Sequence, residues 1–154
     1  MQELLEHFHR EHVAMQRLIN QFDQEVESMR NDRLDPDYHF LLEMVRTFIG
    51  RPHHNHYQAE QKLHYALRLS MPEITPLLEK LEEKHAEQTQ IGRELEHLLD
   101  AACGGHLVPR PKLLGLLEDF IVHLNAHITE EESEIIANAE QWLPETGWVE
   151  LRAG

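Results

Sequence analysis

Apolar residues recur at intervals of three and four along most of the chain, the period of helices that bury one face. The first run is Leu5, Phe8, His12, Met15, Ile19, Phe22, Val26 and Met29, and it predicts a helix from about Gln2 to Met29. Asn31 to Leu34 reads as a turn. Asp35 is the expected N-cap of a second helix, with Pro36 at its first helical position. That helix runs to about Leu69, with a kink or break at Gly50 and Pro52 just before His53. A third helix covers about Pro76 to Ala102 and stops at Gly104-Gly105. The fourth spans about Pro111 to Ala139. A short segment from Pro144 to Leu151 carries Trp148 and is expected to pack as a lid or a small fifth helix. Four long amphipathic helices with short connections predict an all-α, up-down-up-down four-helix bundle. A chain of 154 residues supports one domain with a real core, so residues 1–154 are read as a single domain.

Polar residues stand on the apolar stripes where a core residue is expected. In the fourth helix Leu113, Leu117, Phe120, Leu124 and Ile135 share their register with His127 and Glu131. In the second, His56 and Glu60 are followed in register by Leu63 and Leu67. Both pairs have the spacing H-x-x-x-E, which stacks two side chains one turn apart on one helix face. His12 lies on the stripe of the first helix, and His85 lies on the third among Leu78, Leu81, Gly92, Leu95 and Leu99. The order is therefore His, His-Glu, His, His-Glu: two similar helical hairpins without residue identity. A buried carboxylate is very costly unless it is paired or bound to a metal.

Four imidazoles and two carboxylates inside a bundle suit first-row metals. Imidazole fits zinc, copper, iron and nickel, and carboxylate adds oxygen donors that fit manganese and iron. Glu60 and Glu131 could bridge two ions, each with two terminal histidines, leaving room for a water-derived oxygen and a small diatomic molecule. The net charge of −14 argues against nucleic-acid and anionic-membrane partners, and bound cations would offset part of it. No apolar stretch is long enough for a transmembrane helix, and the start of the chain lacks a basic, apolar leader, so a soluble, cytoplasmic protein is expected. One cysteine, Cys103, excludes an internal disulfide and suits a reducing compartment.

These elements resemble the hemerythrin-like, HHE cation-binding family of non-haem di-iron proteins over nearly the whole chain. The likeness is carried by Glu11-His12, by His56-Tyr57-Gln58-Ala59-Glu60, by Glu83-Lys84-His85 and by His127-Ile128-Thr129-Glu130-Glu131. The ending Ala139-Glu140-Gln141-Trp142-Leu143, with Gly147-Trp148, is similar too. The resemblance implies two iron ions joined by an oxo or hydroxo bridge. It makes His12, His56, His85 and His127 terminal ligands, and Glu60 and Glu131 bridging ones. Oxygen-carrying members have a second histidine four residues along the third helix. Thr89 stands there here, which argues against reversible oxygen carriage. Those members also place an Asp five residues after the last histidine; that position is Glu132, and Glu131 fits the register better.

The leading expectation is a di-iron protein that binds O2, NO or a related small oxidant for sensing, storage or detoxification. A di-iron redox enzyme or an iron-centre repair factor is the alternative, although repair proteins usually carry an additional cysteine-bearing N-terminal region. The second alternative is a structural or binding module: a bundle holding another metal such as zinc or manganese, or a homodimer using its outer faces. Of the other histidines, His53, His54, His64 and His123 are read as surface residues, with support of a ligand as the alternative role. His7, His39, His97 and His106 are expected in solvent, and Glu130 and Glu132 on an exposed charged face. Tyr57 is placed either at the site or in packing, and Cys103 as an ordinary helix-end residue.

Overall fold

The computed structural model describes residues 2–31, 36–144 and 148. Helix α1 is Gln2–Arg30, α2 Tyr38–Ile49, α3 Arg51–Ser70, α4 Thr75–Cys103 and α5 Arg110–Glu130. A π-helical turn, Glu131–Ile136, carries α5 into the short α6, Ala137–Trp142. The result is an all-α bundle of four long rods, the second being α2 with α3 and the fourth α5 with its extension. No strand occurs among the described residues.

Contacts across the bundle fix the antiparallel sense. Gln16 and Arg30 of α1 donate to Asn125 and Glu118 of α5, so one chain rises as the other descends. Arg68 of α3 donates to Glu82 of α4, and Lys112 of α5 lies 2.7 Å from Glu94 of α4. Exposed and part-exposed pairs like these contribute about 0–1 kcal/mol each, so they set register more than stability. Stability comes from two apolar clusters. The larger holds Ile19, Phe22, Val26, Leu41, Phe48, Leu95, Leu117 and Phe120 among others. The smaller holds Phe8, Leu63, Leu67, Leu78, Leu81, Ile135, Ala139, Leu143 and Trp148. Each long rod feeds both clusters, and the buried histidines and glutamates occupy the level between them.

The second rod is broken where Gly50 and Pro52 predict. Gly50 is extended, with φ −89° and ψ −168°, and serves as the C-cap of α2 and the N-cap of α3. One extended residue restarts the helical phase. Leu41, Val45 and Phe48 face the core before it, and His53, His56, Glu60, Leu63 and Leu67 face it afterwards. The start of α2 differs from the expectation. The helix begins at Tyr38, and Pro36 precedes it in non-helical backbone. The cap is Asp37, whose carboxylate accepts from the Phe40 N–H at 2.9 Å. Such a cap satisfies a helix-end donor and stabilises by about 1 kcal/mol. Asp35 and most of the turn before it lie outside the described residues.

Gly104 and Gly105 end α4 as expected. Gly105 has φ +81°, a left-handed conformation that glycine adopts freely, and the His106 N–H reaches back to the Ala101 carbonyl. Of the terminal segment, residues 145–147 and 149–151 lie outside the described residues. Trp148 itself is buried in the smaller cluster, and its indole N–H donates to the Leu143 carbonyl at 3.1 Å. No helix among the described residues is long and apolar enough to cross a membrane.

Candidate metal centre

The level between the two clusters gathers five of the six predicted ligands. His12 from α1, His56 and Glu60 from α3, His127 from α5 and Glu131 from the π-helical turn are all buried. One donor atom from each lies within 4.8 Å of those of the others. His12 Nε2 is 3.0 Å from His56 Nε2, 3.6 Å from Glu60 Oε1 and 3.4 Å from Glu131 Oε2. His127 Nε2 is 3.5 Å from Glu60 Oε1, and His56 Nε2 also contacts that oxygen. The sixth, His85, is buried alongside, but its Nε2 faces the Nε2 of His53 at 3.0 Å. Its ring lies 5.8 Å from that of His127.

The outer nitrogens explain why the inner ones converge. His12 donates from Nδ1 to Glu132 Oε1 at 2.7 Å, and His56 donates from Nδ1 to Glu11 Oε2 at 2.6 Å. A carboxylate behind an imidazole fixes its tautomer and ring plane and leaves the Nε2 lone pair for a cation. His64 donates from Nε2 to Glu131 Oε1 at 3.0 Å and steadies that carboxylate. Inside the cluster Glu60 Oε1, Glu131 Oε2 and His127 Nε2 have no well-directed hydrogen bond, although all three are buried. Orphaned buried acceptors of this kind are rare in folded proteins. Three imidazoles and two carboxylates, with acceptors aimed inward, suit a metal ion.

Several residues differ from their expected places. His53 and His64, read as surface residues, are buried, because the restarted phase of α3 turns both toward the core. His54 is exposed and His123 partly so, with its Nδ1 donating to the Asp119 carbonyl. Glu132 is not on a solvated face: the wider π-helical turn leaves it half-buried behind His12. Glu130 is partly buried and paired with Lys84. Tyr57 stacks flat on His85, ring centroids 3.7 Å apart. His7, His39, His97 and His106 are exposed, as expected.

Electrostatics divide the histidines into two sets. Burial opposes a charge on His12, but contacts with the carboxylates of Glu131, Glu60 and Glu132 outweigh it and raise its pKa to about 10. His56 and His127 are raised in the same way against burial, chiefly by Glu60. Burial would raise Glu60, yet His12, His127 and His56 hold it well below the usual carboxylate range. Without a metal, protons on these imidazoles balance the carboxylates. Burial, then the charges of His85 and His127, lower His53 to about 3, and burial followed by His127 lowers His85 to about 4.

A pH prediction follows for the metal-free protein. Between pH 6.5 and about 4, His53 and His85 bind protons when unfolded and not when folded, so stability falls as pH falls. The slope is about 1.4 kcal/mol per pH unit for each group. His12, His56 and His127 have raised folded pKa values, so their contribution is nearly complete below 6.5 and adds only a small opposing gain, about 0.4 kcal/mol each, as the unfolded imidazoles finish protonating. Glu60 contributes its loss only below about 4.5. Urea unfolding of chelator-treated protein should show a net loss of roughly 2 kcal/mol from pH 6.5 to 5.0. A flat profile over that range would contradict neutral burial of this pair.

Neither a curated protein nor a solved structure matches the chain. Residues 3–139 match the Hemerythrin HHE cation binding domain, a span containing every residue of the buried cluster. The chain belongs to the hemerythrin HHE cation-binding domain family.

Proposed function

We propose that this is a non-haem di-iron protein that binds dioxygen, nitric oxide or a related small oxidant, for sensing, storage or detoxification in a reducing cytosol. One observation carries the reading: three imidazoles and two carboxylates converge in the interior, with acceptors left unsatisfied. Mixed nitrogen and oxygen donors suit iron. His12, His56, His127, Glu60 and Glu131 would hold it. A pair of iron ions would supply two adjacent redox-active Lewis acids to which a diatomic molecule could bind.

The protein's own part is positioning and exclusion. Glu132 and Glu11 hold the rings of His12 and His56. The apolar clusters above and below keep bulk water from the layer. A cleft of about 210 Å³ between α1 and the α2–α3 break is walled mainly by Ala14, Met15, Leu18 and Phe48, with Glu11, Thr47, His53 and His56 also lining it. Its lining favours a small apolar molecule over a charged solute, and the net charge of −14 disfavours anions further.

The test is metal analysis by mass spectrometry on tag-free protein from iron-replete cells, followed by anaerobic addition of nitric oxide. Two irons per chain and a new visible absorption band on adding nitric oxide are expected. Zinc alone, or no metal with the helices intact, would overturn the reading.

A further inference from the structure

We propose that His53 is a metal ligand and that, with His85, it forms a second cation position beside the five-residue cluster. The inference rests on the di-iron reading above. His53 lies in the first turn of α3, directly after the Gly50 break, with 7 % of its surface exposed. Its Nε2 points at the Nε2 of His85 at 3.0 Å, and the two rings are nearly parallel, 17° apart. At that distance one neutral ring can donate its N–H to the other, which leaves one of the two nitrogens as the acceptor. As neutral imidazoles both can give a lone pair to one cation.

The surroundings point the same way. The His127 ring lies 6.1 Å from that of His53 and 5.8 Å from that of His85, and its Nε2 has no well-directed hydrogen bond. Gln88 Nε2 is 3.4 Å from His53 Nε2, while Gln88 Oε1 is buried without a hydrogen-bond partner. A hydrogen bond between two imidazoles accounts for the short distance alone. It leaves the buried, unpartnered oxygen of Gln88 unexplained. A cation held by His53 and His85 would give the Gln88 amide beside them a charge to face.

The test is anaerobic titration of metal-free protein with Fe(II), counting iron retained after gel filtration by mass spectrometry. Wild type should retain two irons, His53→Ala one. His54→Ala, which alters the exposed neighbour, should retain two. Two irons on folded His53→Ala would overturn this inference and leave the di-iron reading standing. Fewer than two on wild type would overturn the reading and this inference with it. Circular dichroism reports whether the variant keeps its helices. Should His53→Ala lose them, His53→Gln retains a hydrogen-bonding side chain but not the imidazole ligand. One iron on that variant supports the second position, and two overturns it.

Discussion

Replacing Glu60 by alanine should empty the protein of iron. Glu60 is the carboxylate that His12, His56 and His127 all face, and it is 2 % exposed. Its removal deletes an oxygen donor and the negative charge that draws the three rings together. Breaking a buried ion pair by deleting one partner costs about 3–5 kcal/mol when the other charge stays. Here the imidazoles can release protons instead, because Glu60 is a cause of their raised pKa values. The metal-free variant should therefore remain folded, with His56 and His127 titrating lower than in the wild type. Iron per chain, measured after purification from iron-replete cells, should fall far below the wild-type amount, which requires the loss of several tenfold steps in affinity at about 1.4 kcal/mol each. Wild-type iron content in folded Glu60→Ala would remove this carboxylate from the metal centre.

The two H-x-x-x-E pairs were legible because burial and helical period coincide: each pair sits where Leu or Phe is expected. His12 and His85 followed from the same stripes, and the family likeness joined them into one set. His53 and His64 were not read as buried, although they fall three before and eight after His56 on the face that carries Leu67. The break at Gly50 was foreseen, but a break erases the phase on its far side. The stripe of α2 therefore could not be carried through to His53. The register within α3 was the available signal for His64. Glu132 is a different case. A period of 3.6 residues places it off the core face, and nothing in the residue pattern announces a π-helical turn. Such turns are commonly found at functional sites, and in this one Glu132 comes to lie behind His12. Glu11 stood in the motif that carried the family likeness, but its partner His56 lies on another helix, and only the fold reveals that pairing.

Phe120→Ala should separate the part of the molecule that holds the fold from the part that holds the metal. Phe120 is fully buried in the larger cluster, with its ring edge-to-face against Phe22 at 6.2 Å and Phe48 at 6.4 Å. It therefore ties α5 to α1 and α2. It also lies where α4 comes closest: a Cβ on Gly92 would stand 3.1 Å from the Phe120 ring and 2.4 Å from Ile49 Cγ2. Helices drawn together so closely cannot easily collapse further into the space left by a phenyl group. Truncation of a buried Phe to Ala costs about 3–5 kcal/mol, and poor relaxation favours the upper end. For a chain of this size each kcal/mol lowers Tm by roughly 2–4 °C, so a fall of about 6–20 °C is expected. The His–Glu layer should respond little at temperatures where the variant is folded, because its ring orientations are set by Glu11, Glu132 and His64 rather than by this cluster. Calorimetry and iron counting on the same preparation test both halves. A large loss of stability with unchanged iron would mean that the apolar cluster supplies the framework and the polar layer holds its own geometry. Loss of iron from the folded variant would mean that the layer depends on the packing of Phe120, two turns away along α5.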